Sequence, residues 1–230
     1  IEWSSSFGAS SFHNPLLATN ETLDIAGPAG RLEAILMHPD GPPRAASVVC
    51  HADPMQGGVM HFKVVFRAAK ALQTEGIAAL RFNFRGVGRS EGEHDRGRGE
   101  QDDVRAAVAE VERRFPGLPI VLGGFSFGSL MALHVGCADL SVRALFALGC
   151  PLVRITDKAF LEACAKPRLF VQGANDVFGP ADKIRDFVAP LPEPKSLTIV
   201  PDADHFFGGH LDELQETVRA WAATHPWETA

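Results

Sequence analysis

Tyrosine is absent from this 230-residue chain, and cysteine is scarce at four. Cys50, Cys137, Cys150 and Cys164 form no CxxC pair and stand at no metal-ligand spacing from histidine, so the sequence offers no zinc site. Apolar surroundings on three of them read as buried free thiols rather than bridges, a pattern that fits a reducing compartment such as the cytoplasm. No apolar run approaches the ~20 residues that a membrane span needs. The opening IEWSSSFGASSF lacks the basic start and apolar core of a signal peptide. Residues 1–17 read as a flexible leader, and the absent initiator Met as a trimmed or engineered start.

A concentration of positive charge is also missing. The net charge is -6, and the arginine-rich stretch holding Arg81, Arg85, Arg89, Arg96 and Arg98 is broken by Glu91, Glu93, Asp95 and Glu100. Nucleic-acid affinity rests on clustered Lys and Arg, so that class of partner is not expected. What is present is core-forming material: 46% of residues are hydrophobic and 22% charged, the balance of a globular chain.

The apolar residues fall into a repeating order. ETLDIAG and GRLEAILMHP predict two strands joined by a Gly-Pro-Ala-Gly turn, an antiparallel start. Short apolar runs then alternate with segments of helical period. Strands are expected at Ala46–His51, Ile77–Phe82, PIVLGG, Arg143–Gly149, Pro167–Gly173 and Lys195–Val200. Helices are expected at Phe62–Thr74, Asp102–Phe115, SLMALHVGC and Leu211–Ala223. Runs buried on both faces, alternating with helices, predict an α/β fold: a mostly parallel sheet of about eight strands with helices on both faces. No linker divides residues 18–230, which read as a single domain. In such sheets ligands bind beyond the carboxyl ends of the strands, so polar residues just after a strand are the site candidates.

One strand end carries Gly124-Phe125-Ser126-Phe127-Gly128. A GxSxG between strand and helix is the setting of a nucleophile elbow. The turn crowds its neighbours, and glycines on either side remove the clash while exposing the hydroxyl. The alternative reading is a glycine-rich packing turn. A serine hydroxyl needs a base, and in this architecture an acid and then a histidine follow the nucleophile along the chain. Asp176 comes just after the strand Pro167–Gly173, and His205 just after Lys195–Val200. Asp202 and Asp204, on the loop of His205, read as solvated loop residues. Asp182 and His210 fall on or beside helices, and His134 lies within the helix behind Ser126. His51 ends the first parallel strand, in an oxyanion-loop position rather than that of the base.

On these residues the chain resembles the α/β-hydrolase superfamily, close to the small, lid-poor serine esterases of the dienelactone-hydrolase-like branch. The stretches that carry the resemblance are HADPMQGG, NFRGVGRSEG, GGFSFGS, GANDVFGP and DADHFF. Dienelactone hydrolases use a cysteine nucleophile; Ser126 stands in its place, which shifts the expectation to serine chemistry. The resemblance implies no metal and no cofactor, a catalytic Ser126, Asp176 and His205, and a small-molecule ester as substrate. The oxyanion donors would be the backbone N–H of Phe127 and, by position, of Asp53. Pro54 has no N–H to give, and Met55 is the fallback. The Asp53 carboxylate must then point away from the developing negative charge.

Asn83, Arg85 and Ser90 share the same rim. Arg85 reads either as an anchor for an acidic substrate or as a donor to loop carbonyls. Met55, Phe125, Phe178 and Phe206 are the expected apolar lining of the substrate site. The stretch from Cys150 to Pro167 has room for one helix and no lid domain, so an open cleft suited to short acyl groups is expected. An acyl-peptide hydrolase or a thioesterase would use the same three residues. A non-catalytic binding protein on this fold is the reading from a different class.

Overall fold

The computed structural model describes residues 19–228, so the leader assigned to residues 1–17 lies outside the described residues. The apolar runs form one eight-stranded sheet in the order β1-β2-β4-β3-β5-β6-β7-β8. β1 (Thr19–Gly27) and β2 (Gly30–His38) pair antiparallel. β2 in turn pairs antiparallel with β4 (Ile77–Phe82). β3 (Ala45–Cys50), β4, β5 (Ile120–Phe125), β6 (Val142–Leu148), β7 (Arg168–Gly173) and β8 (Lys195–Val200) run parallel to one another.

The difference between the first strand and the inner ones follows from side-chain pattern. β1 alternates, with Leu23 and Ile25 inward and polar residues outward, as a strand wet on one face should. β3 and β5 are buried at every position. Successive side chains of a strand point to opposite faces, so each inner strand feeds two cores. Val48, Leu80 and Leu122 meet α2 (Gly99–Arg114), α3 (Phe127–Ala138), α4 (Ala159–Glu162) and α5 (Ala181–Val188). Their neighbours Val49, Ala79 and Val121 meet α1 (Lys63–Thr74) and α6 (Leu211–Ala223).

α2 starts three residues before the expected Asp102 because its first turn is tied to the loop ahead of it. The buried Glu100 carboxylate accepts hydrogen bonds from the amides of Asp95 and Gly97, at 2.8 and 2.7 Å. Between β6 and β7 lie only a single 3-10 turn at Leu152–Arg154 and the four-residue α4, and among the described residues no lid covers the strand ends. β3 lies between β4 and β5; the chain turns to one side of β3 and then crosses to the other. That reversal is where an open α/β sheet forms a crevice at its carboxyl edge.

Candidate active site

β5 ends at Phe125 and α3 begins at Phe127, leaving one residue to reverse the chain. Ser126 does so at φ 53°, ψ -122°, a conformation that costs a non-glycine residue of order 1–3 kcal/mol. The turn is held by the Ser126 amide donating to the Leu148 carbonyl at 2.9 Å, and by the Ser129 hydroxyl donating to the Ser126 carbonyl at 2.6 Å. A Cβ on Gly128 would stand 2.3 Å from the His51 carbonyl oxygen, and one on Gly124 2.7 Å from that of Cys50. The flanking glycines therefore let the elbow sit directly on the end of β3, as the sequence pattern requires.

The structure brings the three expected polar groups together from three strand ends. His205 Nε2 lies 2.9 Å from Ser126 Oγ, and its Nδ1 lies 2.7 Å from Asp176 Oδ2. Asp176 is 1% exposed and His205 6%, so water does not compete for either contact. The Asp176 oxygens also accept from the Phe178 amide at 2.8 Å and from Gln172 Nε2 at 2.7 Å. An acceptor at Oδ2 places the imidazole proton on Nδ1 and leaves Nε2 free to accept from the serine hydroxyl.

The loops after β7 and β8 are sewn to each other by their main chains. Ala174 N donates to Val200 O, and Asn175 N to Ala203 O, each at 2.9 Å. This fixes Asp176 relative to His205 without relying on side chains alone. The Asp204 carboxylate accepts from the amides of Phe206 and Gly208, the loop role expected of it.

Gln172 escaped the sequence reading. It is fully buried on β7; its Oε1 accepts from Cys150 N at 2.9 Å, while its Nε2 donates to Asp176 and to the Gly179 carbonyl. The signal was a lone amide inside the apolar run RLFVQG, since a polar group buried on both sheet faces must find partners.

Across the site, the loop after β3 is tightly braced. His51 is fully buried; its Nδ1 meets the Ala52 carbonyl at 2.7 Å, and its Nε2 accepts from the Phe84 amide at 3.0 Å. Burial holds its pKa down to about 4, so the ring is neutral at physiological pH, with the proton on Nδ1. The Asp53 carboxylate is turned into its own loop: Oδ1 accepts from Met55 N at 2.8 Å and Oδ2 pairs with Arg154 at 2.7 Å. That bond occupies the Met55 amide, the fallback donor. The amides of Asp53 and Phe127 donate to no acceptor among the described residues. Arg154, on the short segment between β6 and β7, was not foreseen.

Several expected contacts resolve differently. Arg85 neither faces an anion site nor serves loop carbonyls; its guanidinium grips the wholly buried Asp103 of α2 at 2.7 to 3.1 Å. Asn83 Oδ1 accepts from Met60 N, and Ser90 Oγ donates to the Asn83 carbonyl, so both hold loops together. Phe125 was expected to line the substrate site but has no exposed surface. It stacks on Phe62 and lies 5.0 Å from the His205 ring, supporting the imidazole from inside because residues of β5 are covered on both faces. Phe178 and Phe206 flank the same ring at 4.6 and 5.2 Å. Met55 is 74% exposed on the opposite lip. His134 stacks on Phe160, away from the site.

Among the described residues, no group of three or more His, Cys, Asp or Glu side chains is disposed to hold a metal ion. No described helix is long and apolar enough to cross a membrane.

Comparison with known proteins matches residues 48–223 to a family described as alpha/beta hydrolase domain. An uncharacterized protein of Rickettsia prowazekii is 33% identical over 206 residues, covering 86% of this chain and 87% of its own. An alpha-beta serine hydrolase homologue from Coxiella burnetii superposes with a TM-score of 0.82 at 36% identity, covering 89% of this chain and 98% of that one. A Xanthomonas campestris protein described as an a/b serine hydrolase without lid gives 0.81 at 35% identity, covering 90% and 95%.

Proposed function

This chain belongs to the alpha/beta hydrolase family, and from that premise we propose that it cleaves carboxylic esters of small acyl groups through an acyl-enzyme intermediate. The observation that carries the reading is the hydrogen-bonded series Ser126–His205–Asp176, at 2.9 and 2.7 Å, on the carboxyl rim of the sheet. Ser126 Oγ attacks the acyl carbonyl as His205 Nε2 takes its proton, and Asp176 holds the tautomer and stabilises the imidazolium that forms. His205 then gives that proton to the leaving alcohol. Water, deprotonated by the same nitrogen, attacks the acyl-serine, and His205 returns that proton to Ser126 Oγ as the acid is released.

The oxyanion is received by the amide N–H groups of Phe127 and Asp53. Phe127 opens α3, whose N-terminal end adds a positive dipole. The engagement of the Asp53 carboxylate with Met55 N and Arg154 supports this assignment, since it directs the negative charge into the loop. The short segment between β6 and β7 supports an open cleft and small acyl groups. One sheet running through all the described strands supports a single domain over residues 18–230, and four free thiols support a reducing, cytoplasmic setting.

A fluorophosphonate probe tests the assignment. It is expected to label the wild type and not Ser126→Ala, with loss of ester turnover. Labelling of the variant, or turnover at the wild-type rate, would exclude Ser126 as the nucleophile.

A further inference from the structure

Large apolar side chains left in water are not scattered evenly. Of the six that are exposed among the described residues, four follow strand carboxyl ends around Ser126: Met55 after β3, Val153 after β6, Val177 after β7 and Phe206 after β8. Single exposed apolar residues need no explanation, but a set gathered at the carboxyl ends of the strands, around one candidate nucleophile, marks a binding surface. Two of these four belong to the loops that supply Asp176 and His205.

The chemistry of the proposed reaction says what meets them. His205 Nε2 must reach the leaving oxygen at hydrogen-bond distance to protonate it. The rest of the alcohol then extends over the groups that flank the imidazole. Those groups are Phe178, 4.6 Å from the ring, and Phe206, 5.2 Å away and edge-on at 77°. Phe206 is 52% exposed, yet it is braced by Phe62 at 5.9 Å, so about half of its surface stays open while the ring is held beside the imidazole. Val177, between Asp176 and Phe178 in the chain, is 74% exposed. No side chain of the three can donate a hydrogen bond or carry charge. A polar alcohol such as a sugar would find no partner there, whereas an aromatic ring would find an edge or a face.

Resting on the proposed function, we propose that the leaving-group subsite is an aromatic shelf built by Phe206 and Phe178. It selects esters whose alcohol portion carries an aryl group, joined to a small acyl part. An aromatic pair contributes beyond simple burial by an amount worth about threefold to tenfold in kcat/KM.

The test compares benzyl acetate with ethyl acetate, and ethyl phenylacetate with ethyl acetate, in the wild type, Phe206→Ala and Phe206→Trp. The wild type is expected to prefer benzyl over ethyl acetate by about tenfold. Phe206→Ala should reduce that ratio toward one, Phe206→Trp should retain it, and the phenylacetate ratio should be unchanged in both. Equal use of benzyl and ethyl acetate by the wild type overturns the inference. So does a ratio indifferent to Phe206→Ala, or a loss confined to the acyl-side pair. Absence of hydrolysis with every ester would overturn the proposed function and this inference with it. Hydrolysis without the alcohol preference would remove the inference alone.

Discussion

Two aspartates stand just past strand ends on the same rim, and their surroundings give them opposite tasks. Asp176, after β7, has its side chain wholly buried and turns one oxygen to an imidazole, with an amide side chain and a backbone N–H satisfying the rest. Asp53, after β3, turns its carboxylate away from the nucleophile, to its own loop and to a half-exposed guanidinium. On the proposed mechanism, one carboxylate is presented to the chemistry and the other is withdrawn so that its backbone N–H can be used. What an aspartate does at a strand end is thus decided by which donors surround it. The largest test of this contrast is the pair Asp176→Asn and Asp53→Asn. On the proposed mechanism, Asp176→Asn favours the wrong tautomer of His205 and should lower kcat by about 10⁴, measured on an activated ester. Asp53→Asn keeps an oxygen for Met55 N and should change kcat less than about tenfold. Comparable losses from the two would erase the distinction.

The Asp53 loop leans on His51, and that support depends on pH. Burial depresses the His51 pKa to about 4 from an ordinary 6.5. The unfolded chain therefore binds the extra proton first as pH falls. The stabilising contribution is whole above pH 6.5, declines below it, and is gone once the pH has passed through about 4. It amounts to about 3 kcal/mol over that window. Urea unfolding of the wild type and of His51→Gln at neutral and acid pH should show the wild type losing more by that margin. Parallel curves for the two proteins would mean that the ring is not held neutral by the fold.

On the other side of the comparison, Asp176 leans on Gln172. Gln172→Leu strips an acceptor from Cys150 N and donors from Asp176 and the Gly179 carbonyl, all buried. Leaving one such group without a partner costs about 1–3 kcal/mol. A stability loss of about 2 kcal/mol by chemical denaturation is expected, with kcat reduced about tenfold and KM little changed. Gln172→Glu should not rescue, because it places a second carboxylate against the first. Full activity in Gln172→Leu would show that the main-chain ties between the two loops suffice to place Asp176.

How far these arrangements could be read in advance follows the same division. The strands were legible because the inner ones are covered on both faces and so appear as unbroken apolar runs, and Leu211–Ala223 was read to its residue limits. The convergence of Ser126, Asp176 and His205 was legible because each follows a strand end in the order the architecture demands. Gln172, Arg154 and the fate of Arg85 were not. Arg85 acts through Asp103, 18 residues away, and Arg154 through Asp53; Gln172 joins the nearby Asp176 to Cys150, 22 residues away, and periodicity carries no information on such side-chain pairs. Phe125 was misjudged for a related reason: position beside the nucleophile suggested exposure, whereas its place on an inner strand determined burial.

The smallest expected effect bears most directly on why Asp53 is harmless. Arg154 pairs with Asp53 Oδ2 at 2.7 Å, and its side chain remains 42% exposed; water therefore screens the pair, and exposed ion pairs contribute about 0.2–1 kcal/mol. Arg154→Ala frees the carboxylate to oppose the oxyanion, so kcat should fall about fivefold with KM nearly constant. Arg154→Lys should restore part of the loss, and added salt should narrow the gap to wild type, since mobile cations replace the missing guanidinium. In Asp53→Asn the same Arg154→Ala change should have no effect on kcat, because no charge remains to be withdrawn. A double-mutant cycle in which the two substitutions add independently would show that Arg154 acts on the site by some route other than Asp53.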